Sequence, residues 1–318
     1  MTKSHKNKPY FVVLIILTAF VFLEVALRLF FPWIQPQDSD ADVIIFKRYH
    51  GSAALVSGKH GRFFGKVMHT DAEYPVRKNK HIRKKNGKWI FLGDSVTMGV
   101  GVEDDSTFSN HLQRYTKLDI LNYSVIGYSA RDYRNFCYSM LDELPLRENV
   151  KRLSLFWTLN DVYSLPLDHE PGILEKVRSF IRSRYRTYIL LKGLFSDRPS
   201  AHYTYDSAFY DEQNQELKKS ILNLCIVKQV CDSLNIQMDL VLLPYRQQIK
   251  LKHYNEQELV GNLFNKACGD STVKILPVQE TFKDASPDDY YLFGDGIHFS
   301  NRGHRELAIF LSKEWQLR

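Results

Sequence analysis

Four groups of residues in this chain are chemically able to work together on a carbonyl compound: Ser95, Gly127, Asn160, and Asp295 with His298. Ser95 supplies a hydroxyl, which becomes a nucleophile near neutral pH only when a base removes its proton. His298 is suited to be that base, and Asp295, three residues earlier, is close enough in sequence to hold the imidazole in one tautomer. The backbone N–H groups of Ser95 and Gly127 and the side-chain amide of Asn160 are suited to stabilise a developing oxyanion. These residue types predict nucleophilic attack by a serine.

Each group follows a segment with the pattern of a buried strand. Residues 89–92 are four consecutive apolar residues, and the Gly-Asp-Ser sequence that follows, with Gly99 and Gly101, breaks the strand into a tight turn. Strands are predicted over 89–92, 119–125, 152–159, 238–243 and 273–276, and helices over 107–115, 131–144, 211–234, 256–268 and 301–315. This alternation predicts an α/β three-layer sandwich with a parallel sheet. Because parallel strands end at one edge of a sheet, we expect the four groups to lie together there.

Each group also has a simpler interpretation when it is taken alone. Ser95 or Asp94 could merely cap the following helix. Asp295 and His298 could be a helix cap followed by a surface histidine, and Asn160 could belong to an ordinary turn. The prediction of a site therefore depends on all four groups meeting at one edge of the sheet.

At these residues the chain resembles the SGNH (GDSL-type) hydrolases, from about Trp89 to the C-terminus. The first block of that family, with its nucleophilic serine, resembles Gly93-Asp94-Ser95. The second and third blocks, with their oxyanion glycine and asparagine, resemble the sequences around Gly127 (122–128) and Asn160 (158–161). The last block resembles 295–304, with Asp295 and His298 in the positions of the acid and the base. The resemblance implies a flavodoxin-like sheet, which agrees with the alternation of strands and helices.

What the resemblance implies chemically is hydrolysis or transfer of an ester-linked acyl group, with no metal or organic cofactor. The chain departs from the family at Thr158, where the third block often begins with glycine. It also differs from the nucleophile elbow of α/β-hydrolases, because Thr97 stands where that motif has its second glycine.

Residues 9–33 are predicted to form a transmembrane anchor. Residues 9–23 are uncharged and an apolar patch follows, which is long enough to cross a hydrocarbon core of about 30 Å. Glu24 and Arg28 lie one helical turn apart and can pair or snorkel near the far interface. A cleaved signal peptide is the alternative, although no small-x-small site follows the run. The lysines at the start predict a cytoplasmic tail over 1–8 and place the remaining chain on the periplasmic side of a bacterial inner membrane.

Three further segments complete the predicted organisation. Residues 34–88 have the composition of a stalk, with a basic run from Arg77 to Lys88 that either contacts anionic lipid or glycan or is simply a solvated linker, the second being favoured. Residues 89–318 form the hydrolase domain. Within it, an insertion over 162–210 either roofs the site, packs on the core or touches the membrane surface.

The charge distribution and the cysteine spacing bear on two further classes of function, nucleic-acid binding and zinc binding. Residues 1–90 contain 16 Lys+Arg against 6 Asp+Glu, and the remaining chain contains 27 against 30, so the domain with the candidate site is nearly neutral. A nucleic-acid partner is therefore not expected. The four cysteines show no zinc spacing and are interpreted as buried apolar residues, with a Cys225–Cys231 disulfide as the alternative.

The predicted substrate is an acylated, and above all an O-acetylated, polysaccharide outside the cytoplasm, on which aromatic residues such as Tyr163 could stack. The same role is expected of Tyr128, Tyr133, Trp157 and Tyr245. A lipase or thioesterase is the alternative enzyme, and a non-catalytic module for glycan binding or scaffolding is the alternative outside enzymes.

Overall fold

The computed structural model describes residues 8–82, 87–164, 172–269, 272–282 and 285–317. Its strands are β1 (Ile44–Tyr49), β2 (Ser52–Leu55), β3 (His60–Phe63), β4 (Lys66–His69), β5 (Lys88–Leu92), β6 (Asp119–Asn122), β7 (Val150–Trp157), β8 (Gln237–Leu242) and β9 (Lys274–Pro277). Its α-helices are α1 (Lys8–Phe30), α2 (Ser95–Met98), α3 (Phe108–Gln113), α4 (Ala130–Asp142), α5 (Leu144–Arg147), α6 (Ile173–Arg184), α7 (Arg186–Phe195), α8 (Arg198–Ser207), α9 (Gln215–Ser233), α10 (Arg246–Leu251), α11 (Asn255–Cys268), α12 (Pro287–Tyr290) and α13 (Asn301–Glu314).

The centre of the fold is a five-stranded parallel sheet in the order β6-β5-β7-β8-β9. This is the flavodoxin-like order, in which the first strand of the domain lies inside the sheet and a crevice opens where the direction of winding reverses. The predicted sheet is confirmed, with strand and helix ends that differ from the prediction by a few residues. The strand predicted over 119–125 already ends at Asn122, for example.

Alternating side chains of β5 supply two separate apolar layers. Ile90 and Leu92 pack with α4, α9 and α11 on one face of the sheet. Trp89 and Phe91 pack with α3 and α13 on the other face. Because successive side chains of a strand point to opposite faces, a strand that is apolar throughout must be covered on both sides. The three-layer arrangement follows from this pattern.

The segment predicted to be a stalk is folded, which corrects that prediction. Residues 44–69 form two antiparallel hairpins, β1–β2 and β3–β4. Tyr49 is buried, with its ring 5.0 Å from that of Phe136 and 6.4 Å from that of Tyr123. The short strands and the glycine-containing turns of hairpins have the same composition as a linker, and only the packing against α4 distinguishes them.

The basic run at the end of this segment is likewise not a solvated linker over its described part, since Arg83, Lys84 and Lys85 lie outside the described residues. Arg77 is only 2% exposed and its Nε donates to Asp104 at 3.1 Å. Its other nitrogens donate to the carbonyls of Met98, Gly99 and Val102, which follow Ser95 in the chain. Removing one member of such a buried pair typically costs about 3–5 kcal/mol. Arg77 therefore fixes the loop that begins with the candidate nucleophile.

Helix α1 is the one element of the described chain that is long and apolar enough to cross a membrane. Its Tyr10–Phe30 stretch has a mean hydropathy of 2.6 and is mostly exposed. At 1.5 Å per residue it is about 31 Å long, which matches the thickness of a hydrocarbon core. The predicted pairing of Glu24 and Arg28 is present, with Nε of Arg28 2.8 Å from the carboxylate. Residues 1–7 of the predicted cytoplasmic tail lie outside the described part.

The predicted insertion forms three helices, and residues 165–171 within it lie outside the described part. Helix α7 packs against α1, where Ile189 joins Leu27 and Ile34 in a small apolar cluster. Helix α8 packs against the loops at the carboxyl edge of the sheet, and α6 buries none of its side chains. Of the predicted roles, a position near the site is thus occupied by α8, while contact with a membrane surface stays a prediction.

The structure contains a disulfide between Cys225 and Cys268, 43 positions apart, where the sequence favoured buried apolar cysteines and offered Cys225–Cys231 as the alternative. Helices α9 and α11 lie side by side, so residues distant in sequence face each other, whereas Cys225 and Cys231 point away from one another on one helix. Cys137 and Cys231 are buried and unpaired. The interpretation of all four as reduced apolar residues therefore holds for two of them.

The disulfide predicts the number of reactive thiols. When the full chain is isolated from its own cells without reductant, denatured and alkylated, we expect two of its four cysteines to react, because Cys225 and Cys268 persist as a disulfide only where the compartment is oxidising. Mass spectrometry counts the alkyl groups, and Cys225→Ser should leave three reactive thiols by freeing Cys268. Reaction of all four cysteines in the unsubstituted chain would contradict the disulfide.

Candidate active site

Ser95 is presented by a turn that only a few residue types can form. Asp94 caps α2 by accepting the N–H of Val96 at 2.9 Å, so Ser95 is the first residue of that helix. A side chain at Gly93 would lie 2.2 Å from Oγ1 of Thr97, which explains why the turn needs glycine there. The interpretation of Asp94 as a helix cap is thus correct, and the cap also places Ser95 at the carboxyl edge of the sheet.

The predicted serine, histidine and aspartate form one hydrogen-bonded series. Oγ of Ser95 lies 2.8 Å from Nε2 of His298, although the two residues are 203 positions apart. Nδ1 of His298 lies 2.8 Å from Oδ1 of Asp295, which also accepts the backbone N–H groups of Ile297 and His298. With Nδ1–H donating to the carboxylate, Nε2 is left to accept the Ser95 hydroxyl. This is the tautomer that a general base requires.

Burial and charge keep the carboxylate of this series ionised. Ser95 is 7% and His298 9% exposed, and Asp295 is fully buried. Burial alone would raise the pKa of Asp295, but the charge and hydrogen bonds of His298, with the charge of Arg198, hold that pKa well below its usual range. Asp295 therefore remains an anion able to stabilise an imidazolium. The stability it contributes is present above the ordinary carboxyl pKa and is lost only as the pH falls through the lowered value.

The β3–β4 turn forms one wall of the site, which the sequence did not indicate. The ring of Phe64 lies edge-on to the imidazole of His298, with centroids 5.0 Å apart. Its backbone is held by Asp38, which accepts the N–H of Phe64 at the backbone carbonyl and that of Gly65 at the carboxylate. This contact depends on hydrogen bonds between residues that are distant in sequence, and no local sequence pattern indicates them.

The predicted oxyanion donors come from three neighbouring loops. Within the described part of the chain, no acceptor takes the backbone N–H of Ser95 or of Gly127. Gly127 has a φ of +80°, a conformation that favours glycine. Nδ2 of Asn160 donates to Asp94 at 3.2 Å, which places its amide beside the turn that carries Ser95. The structure thus leaves two free N–H donors and brings the third beside the nucleophile's turn.

The orientation of the Asn160 amide is fixed by hydroxyl groups on its oxygen. Oδ1 of Asn160 lies 2.8 Å from Oγ1 of Thr158 and 2.9 Å from the hydroxyl of Tyr245. With its oxygen so occupied, the amide directs its N–H₂ group toward Asp94, the residue before Ser95. The departure at Thr158 therefore gives the loop a hydrogen bond that a glycine could not make.

The insertion contributes to the same network through Asp206 of α8. Oδ2 of Asp206 lies 2.7 Å from the Tyr245 hydroxyl, and Oδ1 lies 2.7 Å from that of Tyr163. Burial raises the pKa of Asp206, and the charge of Asp94 also raises it. The hydrogen bonds of the two tyrosines lower this pKa, but the net shift is upward. The sequence did not single out Asp206, because a lone acidic residue in a helix carries no motif.

Several aromatic residues expected to stack on sugar rings are unavailable for that role. Tyr128, Tyr133, Trp157 and Tyr245 are at most 3% exposed. Tyr133 and Tyr245 are instead hydrogen-bonded inside the protein, Tyr133 to Asp161 and Tyr245 as described above. The expectation is wrong for these four residues because their rings are buried in the core of the protein. Tyr163 is half-buried.

No group of three or more histidine, cysteine, aspartate or glutamate side chains suited to a metal ion occurs among the described residues. The candidate site is described by Ser95, His298 and Asp295, whose contacts the structure gives directly.

No protein-family model and no curated protein matches the chain. Among solved structures, the chain is similar to a mutant of Axe2, an acetyl-xylooligosaccharide esterase from Geobacillus Stearmophilus, with 16% identity over 73% of this chain and 95% of that chain and a TM-score of 0.45. It is also similar to the acetyl xylan esterase AlAXEase (16% identity, 72% and 98% coverage, TM-score 0.44) and to a member of the lipolytic protein G-D-S-L family from Veillonella parvula DSM 2008 (14%, 71% and 96%, 0.39). At these identities the similarity concerns the fold alone.

The strand order and the edge at which the four groups meet confirm the predicted architecture. The chain has the five-stranded parallel sheet, in flavodoxin-like order, that the resemblance to the SGNH (GDSL-type) hydrolases implied. Its candidate site holds a serine, a histidine and an aspartate in hydrogen-bonding order.

The network around Asn160 predicts two graded effects on ester hydrolysis. Asn160→Ala should lower kcat about 10²–10³-fold, because an oxyanion donor acts mainly in the transition state. Tyr245→Phe removes one hydroxyl that orients the amide and should lower kcat roughly tenfold with KM little changed. Steady-state kinetics measure both effects. Tyr115→Phe, at an exposed tyrosine, is the control, and an unchanged kcat in Tyr245→Phe would show that the hydroxyl does not position Asn160.

Proposed function

We propose that the chain is a membrane-anchored serine esterase that removes short acyl groups, above all O-acetyl, from extracytoplasmic polysaccharide, or transfers them to an acceptor hydroxyl. The observation that carries the proposal is the series Ser95–His298–Asp295, with 2.8 Å at each contact. A binding module that catalyses no reaction does not need these contacts, so the geometry favours an enzyme over a glycan-binding or scaffold module.

The reaction follows from the protonation states of the three side chains. Oγ of Ser95 attacks the ester carbonyl carbon while Nε2 of His298 takes the hydroxyl proton. The negative oxygen of the tetrahedral intermediate accepts hydrogen bonds from the N–H groups of Ser95 and Gly127 and the amide of Asn160. When the C–O bond to the sugar breaks, His298 gives its proton to the leaving alkoxide. The acyl group is then bound to Ser95.

The second half of the reaction repeats the same steps with another nucleophile. A water molecule, or the hydroxyl of an acceptor in a transferase, loses its proton to His298 and attacks the acyl carbon. The bond to Oγ breaks and Ser95 recovers the proton from His298, so the enzyme returns to its starting state. Throughout, the buried carboxylate of Asp295 stabilises the imidazolium.

The size of the acyl group is proposed from the surroundings of Ser95. The hydroxyl lies at a nearly buried position, and Phe64 covers one side of His298. A cavity of about 1040 Å³ lies nearby, lined by Trp33, Phe195 and Phe293, but Ser95 does not line it. A short acyl group suits such a narrow approach better than a long chain does.

The placement outside the cytoplasm is supported by two independent features. Helix α1 has the length and composition of a membrane span, and the lysines before it favour a cytoplasmic N-terminus. The Cys225–Cys268 disulfide fits a domain in an oxidising compartment. Acetylated polysaccharides are ester-rich polymers of that compartment, which is why they are the proposed substrate class.

The proposal predicts acetate release that depends on Ser95. The full chain should liberate acetate from acetylated polysaccharide and from p-nitrophenyl acetate, and Ser95→Ala should lower the rate at least about 10³-fold, because no other group supplies the nucleophile. Acetate is assayed enzymatically, and Ser233→Ala, on the exposed end of α9, is the control.

Turnover that survives Ser95→Ala would overturn the serine mechanism. Faster hydrolysis of long-chain than of acetyl esters would favour a lipase or thioesterase instead. Acetate found on an added acceptor glycan would identify the transferase form of the same chemistry.

A further inference from the structure

Helix α6 carries an exposed apolar stripe that the catalytic proposal does not use. Ile173, Leu174, Val177 and Phe180 lie at positions that share one face of a helix, and all four are exposed, Ile173 by 82%. At the end of α7, Leu194 is also exposed and Phe195 is exposed by 84%. These six side chains are called the apolar patch. Most exposed apolar residues are scattered singly, so a continuous group of this kind indicates a binding surface.

Basic residues border the stripe on both of its edges. Lys176 and Arg178 flank it along α6, and the guanidinium of Arg184 lies 4.6 Å from the ring of Phe180. Long basic side chains beside an apolar stripe are typical of helices that lie in a membrane interface, where the chains reach the anionic head groups while the stripe enters the acyl region. The charge pattern therefore fits a lipid surface.

The contacts of α7 with α1 set the depth of the patch. The carboxylate of Glu24 accepts the N–H groups of Arg186 and Thr187, the first residues of α7, and the hydroxyl of Thr187. A carboxylate within a membrane span needs such partners. Glu24 lies six residues before Phe30, the end of α1, which corresponds to about 9 Å. The start of α7 is therefore below the outer end of the span.

A second contact agrees with that depth. The ring of Tyr185, between α6 and α7, lies 5.6 Å from the ring of Phe20, further inside the span. Arg28 donates to the carbonyl of Arg184, which holds the end of α6 at the same level. Both helices of the insertion thus meet at a point that lies inside the outer leaflet when α1 spans the bilayer.

We propose that α6 and α7 form a membrane-inserted element that lies beside α1 in the outer leaflet, with the apolar patch against lipid acyl chains and its basic border against anionic head groups. This inference rests on the proposed role of α1 as a membrane span. The occupant is lipid rather than a second copy of the chain because α7 packs against α1, whose own exposed apolar surface the same bilayer must cover.

The element also connects the membrane to the active site. Helix α8 follows α7 directly, and it carries Asp206 of the network around Asn160. Pro199 of α8 packs against Gly296, next to Asp295. The site is consequently held close to the membrane surface, where it would act on polymers that are attached to or newly delivered across that membrane.

The depth of single labelled positions tests the inference. The full chain carrying Val177→Cys or Phe195→Cys, labelled with an NBD fluorophore, is reconstituted into vesicles of phosphatidylethanolamine with a minority of anionic phosphatidylglycerol. Lipids with a nitroxide on the acyl chain then quench any label that lies in the hydrocarbon region. Leu17→Cys, within α1, is the positive control, and Leu222→Cys, exposed on α9, is the negative control. Acetyl esterase activity verifies that each variant is folded.

We expect the labels at 177 and 195 to be blue-shifted and to lose most of their fluorescence, as the label at 17 does, while the label at 222 is unaffected. If the label at 17 is quenched but those at 177 and 195 behave like the one at 222, the inserted element is wrong and the anchor stands. If the label at 17 is not quenched either, the anchor itself is wrong, and the inference falls with it. Esterase activity of the unlabelled chain is judged separately, so neither result bears on the hydrolase proposal.

Discussion

The hydrogen bond between the Ser95 hydroxyl and the imidazole of His298 is the interaction on which the chemistry proposed for this chain depends. Neither group acts alone, since the serine is inert without a base and the histidine, without the serine, has no hydroxyl proton to remove. Their contact joins the first strand of the domain to the loop before its last helix. A sheet in which β5 lies inside, next to β7, brings such distant loops to one edge.

The site is completed by parts of the chain that lie outside the sheet and its helices. The N-terminal hairpins supply Phe64 beside His298, and the segment that follows them supplies Arg77 beneath the loop after Ser95. The insertion supplies Asp206, which shares the Tyr245 hydroxyl with Asn160. Both parts are also linked to α1 or to the segment that follows it. Helix α1, the hairpins and the insertion therefore contact one another or the loops of the candidate site.

The sequence predicted the parts of this arrangement that have a local signature. Four apolar residues before Gly93 indicate a strand and a turn, and the types and spacing of Asp295 and His298 indicate a base and its partner. The burial of Arg77 and the contact of Phe64 with His298 could not be predicted, because each depends on two segments distant in sequence. For the same reason the spacing of cysteines could not identify Cys268 as the partner of Cys225.

The same limit explains why the prediction of a stalk over 34–88 was wrong while the prediction of a parallel sheet was confirmed. A buried parallel strand is apolar at every position, whereas the hairpin strands are partly exposed, as in β1, where only Tyr49 is buried, and their turns resemble a linker. The long apolar run of α1 was evident from composition, but the docking of Glu24 onto α7 required the folded insertion.

The central claim is that Ser95 attacks a carbonyl whose oxygen then points at the three proposed donors. A crystal structure of the chain after reaction with an organophosphate that mimics the tetrahedral intermediate tests it most directly. We predict phosphorus bonded to Oγ of Ser95, with the phosphoryl oxygen about 3 Å from the N–H groups of Ser95 and Gly127 and from Nδ2 of Asn160. Phosphorus on another residue, or a phosphoryl oxygen turned away from these donors, would contradict it.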